Sequence, residues 1–135
     1  QDNAYFCYEP ADALAFWIPL DDVTEANGGV VYAVGSHATG LLPHQASGLH
    51  GFSQGMVYPE KQLAAFREVK IEIPRGGCAI HHVLTAHRSG PNSTDAHRRV
   101  MVLNYKTARA VEDLVLKERQ KRDVNELLKS IDGKE

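Results

Sequence analysis

Strand follows strand through most of this chain, with turn formers between the strands and no sustained helical period before Ala110. Ala4 to Tyr8 alternates loosely and is rich in aromatics, and Leu14 to Leu20 (L-A-F-W-I-P-L) is an apolar run of strand length. Asp21 to Gly29 (D-D-V-T-E-A-N-G-G) reads as a loop with Asn27-Gly28 turn chemistry, after which Val30 to Val34 resumes as a strand. Glu68 to Ile73 (E-V-K-I-E-I) alternates strictly, which puts Val69, Ile71 and Ile73 on one face of a half-buried strand. Pro74 to Gly77 is predicted to fold it back as a hairpin onto Cys78 to Val83, and Arg99 to Lys106 supplies another strand. About six or seven short strands of this kind point to an antiparallel sandwich or small barrel.

Three segments depart from the pattern. Gly35 to Pro59 has no periodicity and reads as a long surface loop, a candidate substrate lid. Glu60 to Arg67 is predicted to form a short helix. From Ala110 the chain is charge-dense, and Leu114, Val124, Leu127, Leu128 and Ile131 recur at near-helical spacing. The expected organisation is one domain: a mainly β core over residues 1–109 and a helical segment over residues 110–135.

Composition narrows the function. With 43% hydrophobic and 24% charged residues the chain is an ordinary globular one, without an apolar stretch long enough to span a membrane. A net charge of −2 offers no basic field for a phosphate backbone, so neither nucleic acid nor membrane is expected as a partner. Cys7 and Cys78 are too few for a disulfide framework and read as free thiols in a reducing compartment; with no secretory signal, a cytoplasmic location is expected. The chain opens on Gln1 inside a predicted strand, and is expected to be a truncated, processed or incompletely cloned piece.

The chemistry-bearing residues are Asp2, in Q-D-N-A-Y-F, and the stretch H-R-S-G-P-N-S-T-D-A-H-R-R from His87 to Arg99. A mononuclear Fe(II) centre that activates oxygen needs two imidazoles and one carboxylate on one face, with the remaining positions open. These segments, with A-L-A-F-W-I-P-L and D-D-V-T-E-A-N-G-G-V-V-Y-A-V-G-S-H, resemble in order and spacing the phytanoyl-CoA dioxygenase family of Fe(II)- and 2-oxoglutarate-dependent oxygenases. The resemblance runs from Gln1 to about Tyr105 and implies a double-stranded β-helix, or jelly-roll, core lacking its first strand, with a C-terminal helix.

The resemblance also implies roles. Asp2 matches the carboxylate of the family's H-x-D ligand pair, whose histidine would stand immediately before Gln1, and His87 matches the distal imidazole ligand. Arg98 matches the arginine that holds the far carboxylate of 2-oxoglutarate, Ser89 a serine that assists it, and Trp17 an aromatic lining the cosubstrate pocket. The guanidinium is suited to that task, because it presents a planar two-point fork to a carboxylate. Arg98 and Arg99 are strand neighbours with opposite faces, and spacing selects Arg98. His44 matches a histidine found near the pocket in some members, and Val34-Gly35-Ser36-His37 stands where members usually have Pro-Gly-Ser-His or Pro-Gly-Thr-His. His81 and His82 face opposite ways on their strand, and both read as structural. An acidic residue at position 2 favours a hydroxylase, since halogenating relatives leave that place free for chloride.

The implied activity is hydroxylation of a small molecule with Fe(II), 2-oxoglutarate and O2. The chain as given, short of one imidazole, is expected to be inactive or nearly so, and its uncovered sheet edge suggests a homodimer. Two other classes compete: a non-catalytic jelly-roll module that binds a small ligand, and a metal-dependent cupin isomerase. Neither accounts for Asp2, His87, Ser89 and Arg98 together, and neither predicts 2-oxoglutarate binding.

Overall fold

The computed structural model describes residues 1–49, 52–57 and 64–132. It contains a short helix α1 (Asn3–Phe6), strands β1 (Tyr8–Glu9), β2 (Ala13–Pro19) and β3 (Val30–Ala33), a 3-10 turn (Ser36–Thr39), and strands β4 (His44–Leu49) and β5 (Phe52–Met56). Then follow β6 (Glu68–Lys70), β7 (Ala79–His82), β8 (His87–Ser89), β9 (Val100–Lys106), β10 (Val111–Glu112) and the C-terminal helix α2 (Leu114–Asp132). Two three-stranded antiparallel sheets, ordered β7-β2-β9 and β6-β3-β8, carry the core, with two-stranded ladders β4-β5 and β1-β10 beside them. This is the mainly β, double-stranded β-helix architecture with a C-terminal helix that the resemblance implied.

The core lies between the two sheets. On β2 the alternate residues Ala13, Ala15, Trp17 and Pro19 are buried, and Trp17 packs with Val23, Val30 and Tyr32 against Ile71, Ala79 and Val100. Apolar contact between the inner faces is what holds a sandwich together. The N-G-G loop then ties the ends of two motifs. Gly28 has φ +84°, and a Cβ there would stand 2.7 Å from the Gly90 carbonyl oxygen. The Ser93 amide and hydroxyl both donate to the Ala26 carbonyl, at 3.0 and 2.7 Å.

Four expectations are corrected. Residues 4–7 are not strand: the Asp2 carbonyl accepts the Tyr5 and Phe6 amides at 2.9 and 3.2 Å, and Cys7, at φ 54°, ends the turn before β1, so of the expected strand 4–8 only Tyr8 is extended. The segment 68–73 and β7 are not a hairpin. Tyr32 pairs with Val69 in one sheet and Trp17 with Ala79 in the other, so the Pro74–Gly77 turn carries the chain across the sandwich. Within the expected loop 35–59 lies the β4-β5 ladder, which the absence of alternation had hidden. Of the predicted helix at 60–67, residues 60–63 lie outside the described residues, and 64–67 form a turn and bend and no helix. Elsewhere Val69, Ile71 and Ile73 do alternate inward, and Cys7 is buried while Cys78 is exposed, both free.

The helix α2 is capped by Asp113, whose carboxylate accepts the Val115 and Leu116 amides at 2.9 and 3.1 Å. It packs on α1 and β4, and Lys117 donates to the Tyr5 carbonyl at 3.0 Å. No helix among the described residues is long and apolar enough to cross a membrane.

Candidate metal centre

Asp2 is delivered to the barrel mouth by its neighbour. The buried Gln1 side chain donates to the Gly40 and Leu84 carbonyls at 2.8 and 2.6 Å and accepts the Leu42 amide at 2.9 Å. One amide thus clamps the N-terminal turn between the segment leading into β4 and the turn between β7 and β8. Asn3 completes the anchor, its amide donating to the Val83 carbonyl at 3.0 Å.

There the Asp2 carboxylate meets two imidazoles. Its Oδ2 lies 2.9 Å from His81 Nε2 and its Oδ1 lies 3.4 Å from His87 Nε2, and one ligand atom from each residue falls within 4.8 Å of the others. The ring of His87 has a defined tautomer. Its Nδ1 lies 2.9 Å from the Thr85 carbonyl, which can only accept, so Nδ1 holds the proton and the Nε2 lone pair faces Asp2. His44 is held the same way, its Nδ1 donating to the Leu42 carbonyl at 2.7 Å.

The charges agree with this geometry. Burial pushes the His87 imidazole below its ordinary pKa despite the opposing charge of Asp2, and burial likewise lowers His44. Burial works against the Asp2 carboxylate, but the hydrogen bond from His81 and the positive potential of the two histidines outweigh it and hold its pKa below the usual range. The result is an ionised carboxylate opposite a neutral imidazole lone pair. That donor set fits a divalent first-row ion such as Fe(II).

Asp2 and His87 open on a cavity of about 330 Å³ that is also lined by Tyr5, His44, Gly55, Met56 and Ser89. Of the residues the sequence singled out, Asp2, His87, His44 and Ser89 therefore share one cavity. Trp17 and Arg98 do not line it and are instead neighbours of each other: the guanidinium carbon of the half-buried Arg98 lies 5.7 Å from the ring centre of the core residue Trp17. Tyr32 bridges the two groups, packing with Trp17 in the core and lying 4.9 and 5.8 Å from the His81 and His87 rings. Among the described residues Arg98 has no carboxylate partner, whereas Arg99 is committed to Asp21 at 2.7 Å.

Sequence reasoning missed two participants. His81, expected to be structural, touches Asp2 directly; the available signal is the opposite facing of His81 and His82, since His81 pairs with the inward Ala15. Gln1 carried no signal except its place in front of Asp2.

The phytanoyl-CoA dioxygenase (PhyH) family matches residues 1–100. A probable phytanoyl-CoA dioxygenase of Caenorhabditis elegans is 28% identical over 107 residues, which cover 78% of this chain and 34% of that protein. Among solved structures, the apo form of the non-haem monooxygenase ThoJ superposes with a TM-score of 0.68 at 25% identity, covering 96% of this chain and 60% of that one. The epimerase SnoN, in complex with Fe3+, α-ketoglutarate and nogalamycin RO, gives a TM-score of 0.64 at 26% identity, covering 85% and 45%. The chain spans about a third of the length of the curated relatives it matches.

Proposed function

The chain belongs to the phytanoyl-CoA dioxygenase family, and we propose that it forms the metal- and cosubstrate-binding part of an Fe(II)/2-oxoglutarate-dependent dioxygenase that hydroxylates a small molecule. The observation that carries the proposal is the convergence of the Asp2 carboxylate and the His87 Nε2 lone pair at the mouth of one cavity. Asp2 and His87 would hold Fe(II), and the H-x-D pattern assigns the remaining imidazole to the position before Gln1. Bound iron with 2-oxoglutarate supplies the activation of oxygen. The protein's part is to bind, orient and exclude water.

Arg98 would take the distal carboxylate of 2-oxoglutarate. Its guanidinium rests against the Trp17 ring, which limits its rotation, and its charge is not spent on an acid among the described residues. Ser89, at the end of β8 next to the His87 motif, would add a hydroxyl. Met56 and Gly55, on the β5 side of the cavity, offer the apolar wall against which a substrate carbon would lie, so the β4-β5 ladder takes the part of the lid. An acid at position 2 keeps the ligand place occupied, which favours hydroxylation over halogen transfer.

Calorimetric titration of 2-oxoglutarate into the chain loaded with Mn(II) tests the reading. Arg98→Ala is expected to weaken binding roughly 10- to 100-fold, the loss of a charge-assisted pair of hydrogen bonds, and to leave Mn(II) affinity unchanged. Equal binding by the wild type and Arg98→Ala would refute the cosubstrate assignment. Absence of metal binding would favour the jelly-roll ligand-binding module instead.

A further inference from the structure

His81 and His87 both face Asp2, but they are held differently. His87 donates from Nδ1 to a carbonyl, so its Nε2 is a lone pair, and it stands 3.4 Å from Asp2 Oδ1. His81 Nε2 stands 2.9 Å from Asp2 Oδ2, a hydrogen-bond distance. Two lone pairs at that separation would repel, so a proton lies between them, and the ionised carboxylate cannot supply it. Nε2 of His81 is therefore the donor. Its other ring nitrogen, Nδ1, lies 2.9 Å from the Tyr32 hydroxyl, so both nitrogens are engaged. A hydrogen-bonded chain thus links the Tyr32 hydroxyl to His81 Nδ1 and His81 Nε2 to Asp2 Oδ2.

We propose that His81 is a positioning residue and not a metal ligand: with Tyr32 behind it, it holds Asp2 Oδ2 so that Oδ1 alone is presented to the ion beside His87. The ring is only 9% exposed, packs on the Tyr32 and His87 rings, and has both nitrogens engaged. Its partner across the ladder is Ala15, fully buried, which leaves room for the imidazole under the carboxylate. An outer-layer group of this kind orients a ligand and typically changes metal affinity by 10- to 100-fold. The inference rests on the metal-centre reading above, and it assigns His81 a place that the proximity of three ligand-type residues does not decide.

The test is imidazole 15N NMR on the chain, metal-free and loaded with Zn(II). The expected result is a protonated Nε2 at His81 in both forms, while zinc shifts Nε2 of His87. Loss of the His81 Nε2 proton on zinc addition would make it a ligand and overturn the proposal, as would an Nε2 without a proton in the metal-free chain. A lack of any zinc-dependent shift at His87 would instead sink the metal-centre reading, and this inference with it. His81→Gln places an N–H where Nε2 stood and is expected to keep zinc affinity near that of the wild type. His81→Leu is expected to weaken it about 10- to 100-fold. Equal losses in the two variants would also overturn the proposal.

Discussion

Strands β3 (V-V-Y-A) and β9 (V-M-V-L-N-Y-K) are built from much the same residues and have opposite fates. All four residues of β3 are buried, for it runs between β6 and β8 and faces Trp17 across the sandwich. On β9, Met101 is 43% and Tyr105 62% exposed, and among the described residues only β2 pairs with it. Apolar content therefore does not decide burial here. The number of flanking strands and a facing sheet do, and the site depends on the buried strand: Tyr32 of β3 supports His81, which supports Asp2.

Substitutions can sharpen this contrast. The largest effect is expected at the buried end. Trp17→Ala empties the core cluster beside β3 and should cost about 3–5 kcal/mol in urea unfolding; a loss below about 1 kcal/mol would mean that the two sheets do not depend on each other as their packing implies. A smaller effect is expected where β9 begins. The side chain and backbone amide of Arg99 both donate to Asp21, and these bonds hold its carboxyl far below the usual range. Because the folded pKa is the lower one, this stabilisation is complete above the unfolded value of about 3.9 and fades as pH falls toward the folded value. Asp21→Asn should therefore flatten the acid limb of the stability profile and leave its shape above pH ~6 unaltered; an unchanged acid limb would show the pair to be inert.

The smallest effect on stability is expected on β9 itself. Met101→Lys should change unfolding free energy by no more than about 0.5 kcal/mol, against the several expected at Trp17. We propose β9 as the edge through which two copies would pair, and light scattering of Met101→Lys checks it. A wild-type dimer should become monomeric, and a monomeric wild type would remove that proposal.

Much of the fold was legible because strand period and turn chemistry are local. Leu14 to Leu20, Val30 to Val34, the alternation at 68–73 and Arg99 to Lys106 all announced themselves through side chains next to one another in the chain. The errors arose where distant partners decide. The segment 4–8 has a strand-like composition, but the anchoring of Gln1 and Asn3 to Leu42, Leu84 and Val83 turns most of it into a helical turn. The Pro74–Gly77 turn is chemically a hairpin turn, yet the available edges of β2 and β3 draw its two arms into different sheets.

The site divides in the same way. The sequence by itself determined the order that marks the family and, with it, the side chains proposed for the chemistry: a carboxylate at position 2, an imidazole at 87, a hydroxyl at 89 and a guanidinium at 98. Only the tertiary structure decided how they are held. Imidazole tautomers follow from the carbonyls and hydroxyls that each ring meets, and Thr85, Leu42 and Tyr32 become those partners through folding. His81 shows the consequence most plainly: its sequence neighbours gave it no role, and two contacts made across the barrel, with Tyr32 and Asp2, orient the carboxylate on which the site depends.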